Sequence, residues 1–154
     1  MGVSGAGKSS VGRVLARRLR VPFADADDFH SDANIAKMAA GAPLTDADRR
    51  PWLEVVGQWL SAHADGGVIS CSALKRRYRN QLRRHCPAVE FVHLSGAPDV
   101  IGRRQAHRPG HFMPPALLRS QFDTLEPLAP DERGVTVDVG QDIDTIVADY
   151  LARR

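Results

Sequence analysis

Lysine is scarce in this 154-residue chain: Lys8, Lys37 and Lys75 are the whole set, and arginine supplies nearly all the positive charge behind a formal net charge of +3. Guanidinium forks grip phosphate and carboxylate with two bonds, so the mild basicity suits a protein that binds a nucleoside triphosphate and an acidic small molecule. It would also suit nucleic acid, but the nine aromatic residues form no stacking set along the arginine-dense stretch 75–84, which speaks against a nucleic-acid partner. Cysteine is nearly absent. Cys71 and Cys86 stand in no metal or redox spacing, which excludes a thiolate zinc site or a disulfide framework and leaves buried reduced thiols as the expectation. No apolar run approaches bilayer length and no charged-then-apolar leader is present, so the expectation is a soluble, cytoplasmic protein with no membrane partner. Repeats, low-complexity tracts and long linkers are missing too, and residues 1–154 are expected to form one domain.

What the sequence does carry stands at its start. Gly2-Val3-Ser4-Gly5-Ala6-Gly7-Lys8-Ser9 fits the phosphate-binding pattern G-x-x-x-x-G-K-[ST]. Three glycines let backbone N–H groups turn inward around phosphate oxygens. Lys8 is placed for the β- and γ-phosphates, the Ser9 hydroxyl for Mg²⁺, and Ser10 opens the helix whose positive end faces the anion. Gly2 to Ser10 are therefore the candidate ATP site. Such a loop ordinarily leaves the end of a buried strand, yet only Met1 precedes it. The expectation is that Met1 is an internal methionine, with about six to ten apolar-rich residues belonging before it. A chain that keeps the motifs but cannot fold, a catalytically dead nucleotide-binding fragment, is the alternative this raises.

Hydrophobic spacing and turn signals give the rest of the outline. Helices are expected from Lys8, over 34–40, from Thr45 or Asp48 to about His63 with Pro51 in the first turn, and over 75–85, 98–107, 116–125 and 143–151. The helix ending near His63 is expected to bury Trp52, Val55, Val56, Trp59 and Leu60. Strands are expected at 22–25, 67–72, 89–94 and 135–139. Their alternation implies an α/β fold with a mostly parallel sheet covered on both faces.

The first of these strands ends Asp25-Ala26-Asp27-Asp28. On an extended chain Asp25 and Asp27 share a face, at the carboxyl edge where the loop opens. Phosphoryl transfer to an alcohol needs an acid near Mg²⁺ and a group to orient or deprotonate the hydroxyl. The next strand, ending Ser70-Cys71-Ser72, has no acid to offer. Asp25 is thus the candidate metal-facing acid and Asp27 the candidate for the hydroxyl. Lys37, Arg49, Lys75 and Arg79, with His30 and Asn34, suggest a polar, anion-tolerant acceptor wall. Arg104 and Arg108 share a helix face and lead into Pro109-Gly110-His111-Phe112-Met113-Pro114, a candidate lid over roughly 105–120.

Several long motifs resemble the gluconokinase family of P-loop kinases. They are MGVSGAGKS, DADDFH, N-I-A-K-M with G-x-P-L-T-D-x-D-R-x-P-W-L, C-S-A-L-K-x-x-Y-R, and R-x-x-H-F-M-P with S-Q-F-x-x-L-E. The middle motifs are far more diagnostic than the loop. The resemblance implies a three-layer, nucleoside monophosphate kinase-like fold with strand order 2-3-1-4-5, strand 1 missing here, and a small lid. It implies ATP- and Mg²⁺-dependent phosphorylation of D-gluconate at the 6-hydroxyl, and a homodimer. It places Asp25 near Mg²⁺, Asp27 at the 6-hydroxyl, Arg49 on the gluconate carboxylate, Arg104 near adenine and Arg108 on the phosphates, with Lys8, Asp27 and Arg108 as the catalytic set. Departures are Ala6 where many members have Ser, and Ser31 after His30 where Pro is usual. Another small-molecule or nucleoside monophosphate kinase is the alternative enzyme; C-S-A-L-K stands where shikimate kinases carry glycines.

Overall fold

The computed structural model describes residues 1–107, 109 and 114–154. Gly7, at φ 91°, turns the chain into α1 (Lys8–Leu19), which buries Val11, Leu15 and Ala16. The chain continues through β1 (Phe23–Asp25), a 3₁₀ turn (Ala26–Phe29), α2 (Asp32–Ala39), α3 (Asp46–Ala62), β2 (Val68–Ser70) and α4 (Arg76–His85). It ends with β3 (Phe91–Ser95), α5 (Pro98–Ala106), α6 (Pro115–Thr124), β4 (Gly134–Asp138) and α7 (Ile143–Ala152).

The four strands pair in parallel as two half-sheets. Phe23 to Asp25 lie in register with Val68 to Ser70, and Phe91 to Ser95 with Gly134 to Asp138. These are the 2-3 and 4-5 pairs of the expected order. Met1 and Gly2 bridge the place between them. The Met1 nitrogen donates to Val92 O (2.6 Å), Leu94 N–H donates to Met1 O (2.9 Å), and Gly2 N–H donates to Ser72 O (3.1 Å). Beside this bridge lies a cavity of about 520 Å³ whose lining includes Val11, Leu15, Val68, Ile69, Val92 and Leu94. Val68 N–H donates towards β1, to Pro22 O. Strand alternation therefore turns the Ile69 amide the other way, towards the cavity.

Helices cover both faces. Val11 and Leu15 of α1 and Ile146 and Val147 of α7 pack with Leu94 and Val137 on one side. Trp52, Leu53 and Val56 of α3 and Leu82 of α4 pack with Phe91 on the other. Phe91 and Leu94 serve opposite cores because their side chains alternate across β3. Cys71 and Cys86 are buried free thiols. Two details of α3 differ from expectation. Its first residue is Asp46, so Pro51 falls in the second turn, where it forfeits the bond to the Ala47 carbonyl. This register brings Leu53 inward and leaves Val55 42% exposed.

The gap yields a stability test. An apolar segment of five to seven residues fused ahead of Met1 should pair with β2 and β3 and fill the cavity. Each kcal/mol gained raises the melting midpoint of a domain this size by about 2–4 °C. Calorimetry should show a gain for a valine-rich segment and none for a Gly/Ser segment of equal length.

His93 yields a pH test. It is 3% exposed on β3 and, among the described residues, neither ring nitrogen has a hydrogen-bond partner. Burial first, then the Met1 amino group and Arg79, push its pKa down to about 4. Between pH 6.5 and 4 the unfolded chain therefore binds more protons, and stability falls as pH drops through that window. In His93→Leu this loss, up to about 3 kcal/mol, should disappear from urea-melt midpoints taken between pH 7 and 4.

Candidate active site

Gly2 anchors the loop at φ 139°, a conformation that glycine alone adopts freely. A Cβ there would stand 2.7 Å from Leu94 O. Val3 and Ala6, each 1% exposed, pin the loop into the core. Ser4 is held from the far side of the chain: its N–H donates to Gln121 Oε1 of α6 (2.6 Å), and Gln105 Nε2 of α5 donates to Ser4 Oγ (3.1 Å). Lys8 Nζ donates to Val3 O at 2.9 Å, across the loop.

The Ser9 hydroxyl donates to Asp25 Oδ2 and lies 3.3 Å from Ser70 Oγ. The β1–β2 register makes Asp25 and Ser70 partners at the strand ends, and the first turn of α1 lowers Ser9 onto them. This hard-oxygen set suits Mg²⁺, which takes one or two carboxylates and completes its shell with phosphate oxygens and water. Among the described residues no group of three or more His, Cys, Asp or Glu forms a metal cage of its own.

Asp27 departs from expectation. Asp25 Oδ1 accepts Asp27 N–H at 3.1 Å and caps the 3₁₀ turn. Strand alternation ends there, so it does not set the direction of the Asp27 side chain. The Asp27 carboxylate is 83% exposed, 3.9 Å from His30 Nε2. His30 stacks on Trp52 with ring centroids 4.2 Å apart. Burial pushes the His30 pKa down, against the pull of Asp27, and the Trp52 indole N–H donates to Ala26 O. Buried Asn34 donates to Asp48 O (3.0 Å) and contacts His30 Nδ1 (3.3 Å). Lys37 Nζ donates to Asp48 Oδ2 at 2.6 Å. With reciprocal bonds to Thr45 added, the Asp48 carboxyl is held down to about 2.

Arg49 donates to Leu44 O (2.5 Å) and Tyr78 OH (3.3 Å). Lys75 pairs with Asp46 at 3.0 Å. His30, Asn34, Lys37, Arg49 and Lys75 thus gather where α2, α3 and the start of α4 meet. Arg79 does not join them. Its side chain is fully buried, bound in two parallel bonds to Glu132 (2.7 and 2.8 Å) and donating to the carbonyls of Ala73, Leu74, Glu126 and Pro127. The α4 register sends Tyr78 to the wall and Arg79 into the interior, so Arg79 braces the site and is removed from the substrate-binding set.

On the other side of the loop, Arg104 donates to Val139 O. It lines a cleft of about 440 Å³ with Gly7, Ser10, Gln141 and Asp142, next to the phosphate loop. Arg108 lies outside the described residues. Sequence reasoning missed Asp46, Tyr78, Gln105, Gln121 and the 141–143 turn. Of these, only the turn carries a local signal, Gly140 just past the last strand.

The comparisons agree with this geometry. A shikimate kinase family model matches residues 4–129. A gluconokinase from Gluconobacter oxydans is 45% identical over 157 residues, covering 100% of this chain and 88% of that protein. The crystal structure of a gluconokinase from Sinorhizobium meliloti superposes with a TM-score of 0.89 at 48% identity, over 99% of this chain and 87% of that one. An unliganded sugar kinase from Janibacter superposes at 0.93, again with 48% identity, over 99% and 90%. Sequence and fold thus agree: the chain belongs to the gluconokinases, within the shikimate kinase-like P-loop kinases.

Proposed function

We propose that this protein phosphorylates D-gluconate at its 6-hydroxyl with ATP, giving 6-phosphogluconate and ADP. The observation that carries this reading is the meeting of Ser9 and Asp25 beneath a phosphate loop, in a chain 45% identical to a gluconokinase end to end. The arginine- and lysine-bearing wall adjoining Asp27 suits an acidic polyol. Gly2 to Ser10 take the triphosphate and Arg104 flanks the nucleoside. Ser9 and Asp25 would hold Mg²⁺, which when bound offsets phosphate charge. Lys8 turns from Val3 O to the phosphate oxygens. Asp27 accepts the proton of the 6-hydroxyl as its oxygen bonds to the γ-phosphorus, the bond to the β,γ-bridging oxygen breaks, and ADP departs. Arg108 and the lid over 105–120 would close on the transferring group. The buried free thiols suit the reducing cytoplasm, and the family resemblance carries the homodimer.

Coupled ADP release measured with gluconate, shikimate, AMP and glycerate should respond to gluconate; no gluconate-dependent release from the folded protein would sink this reading. Asp25→Asn should lower kcat by about 100-fold or more and raise the Mg²⁺ concentration needed for half-maximal rate. An unchanged Mg²⁺ titration would remove Asp25 from the metal site.

A further inference from the structure

Three donors converge on one carboxylate beside the amino end of α4. Asp46 Oδ1 accepts Lys75 Nζ (3.0 Å) and the Tyr78 hydroxyl, and Oδ2 accepts Arg77 Nη1 (2.6 Å). Arg49 lies 5.5 Å above the Tyr78 ring and donates to its hydroxyl. Lys75 and Arg77 thus share a single anion, with Arg49 behind it through the Tyr78 hydroxyl, and among the described residues Asp46 is the carboxylate in ion-pair range of Lys75 and Arg77. An ammonium, a guanidinium and a phenol at a helix amino end form a carboxylate receptor. It is open to solvent, for the Asp46 side chain is 36% exposed and that of Lys75 25%. The excess positive charge leaves room for a second anion.

The receptor lies on the wall that carries His30, whose ionisation Arg49 influences, and Asp27 stands 3.9 Å beyond His30. A linear sugar acid has its carboxylate at one end and its terminal hydroxyl at the other. Bound along this wall, it would present one end to the receptor and the other to Asp27. The Asp46 backbone is fixed, because Thr45 and Asp48 cap each other reciprocally on either side of it. Release of the receptor therefore needs only rotation of the Asp46 side chain.

We propose that Asp46 is a built-in stand-in for the acceptor's carboxylate: Lys75 and Tyr78 pass from Asp46 to the incoming sugar acid, with Arg49 as a further donor. This rests on the sugar-acid reading above. The exchange keeps each donor paired in both states, and it imposes selectivity. An acceptor with a carboxylate displaces Asp46, whereas a neutral polyol meets a receptor already filled.

Asp46→Asn retains the shape and removes the competing charge. The gluconate KM should fall about 3- to 10-fold, since a greater share of the protein is receptive, and the ATP KM should not follow. Asp46→Glu keeps the charge, serves if the Asn variant fails to fold, and should not lower the gluconate KM. Lys75→Met should raise the gluconate KM and abolish the benefit of Asp46→Asn in the double variant. A gluconate KM that is unchanged or higher in Asp46→Asn, or lower in Asp46→Glu, overturns the exchange. Failure of the wild-type chain to turn over gluconate would overturn the substrate reading instead.

Discussion

The Arg79–Glu132 pair is the constraint on which the acceptor side of the molecule depends. Arg79 lies on α4, which follows the β1–β2 half-sheet, and Glu132 lies just ahead of β4, on the other half. Both side chains are fully buried, so each charge is tolerable only with its partner. Removing one member of such a pair typically costs about 3–5 kcal/mol, because an uncompensated charge remains in the interior. The bonds from Arg79 to the Ala73 and Leu74 carbonyls also fix the turn that delivers Lys75 and Tyr78 to the wall. With Met1–Gly2, the Glu126 N–H bond to Leu74 O and the Arg76–Asp131 pair, this clamp helps tie the half-sheets together.

The same clamp explains why some of the site was legible in the sequence and some was not. The phosphate loop was legible because glycine, lysine and serine at fixed spacing have few structural uses together. Asp25 was legible because it closes a strand, and strand register carries it to Ser70. Asp27 was expected on an extended strand, but the Asp25 side chain captures the Asp27 N–H and starts a 3₁₀ turn. That competition between side-chain and backbone acceptors is local, but it leaves no periodic trace. Arg79 was misassigned for a different reason. Four residues after Lys75, Arg79 reads as part of the same basic wall, and the carboxylate that pulls it inward is 53 residues away. Gln105 and Gln121 were invisible for the same reason: their partner, Ser4, lies more than a hundred residues upstream.

The fold was more legible than the site. Four strands, their parallel pairing and the helices between them follow from hydrophobic spacing, and the expected boundaries fall within a few residues of those observed. The early question of what stands before the loop has a concrete form in three dimensions: two ladders, a two-residue bridge and a cavity lined by aliphatic side chains from both faces. The errors in α3 were errors of phase. Of the two expected caps the helix uses Thr45, which puts Pro51 in the second turn, and its buried face takes Leu53 in place of Val55.

The division into half-sheets has a consequence for how substrate preference can change over generations. Residues proposed for the acceptor sit on the 3₁₀ turn, α2, α3 and the start of α4, while the cleft proposed for the nucleoside draws on the phosphate loop, the start of α1, α5 and the turn after β4. Each ligand's contacts are thus inherited largely from one half. Mutations that retune the acceptor wall can accumulate without disturbing the nucleotide grip, provided Arg79 and Glu132 persist. A lineage built this way can keep one phosphate donor and try many acceptors.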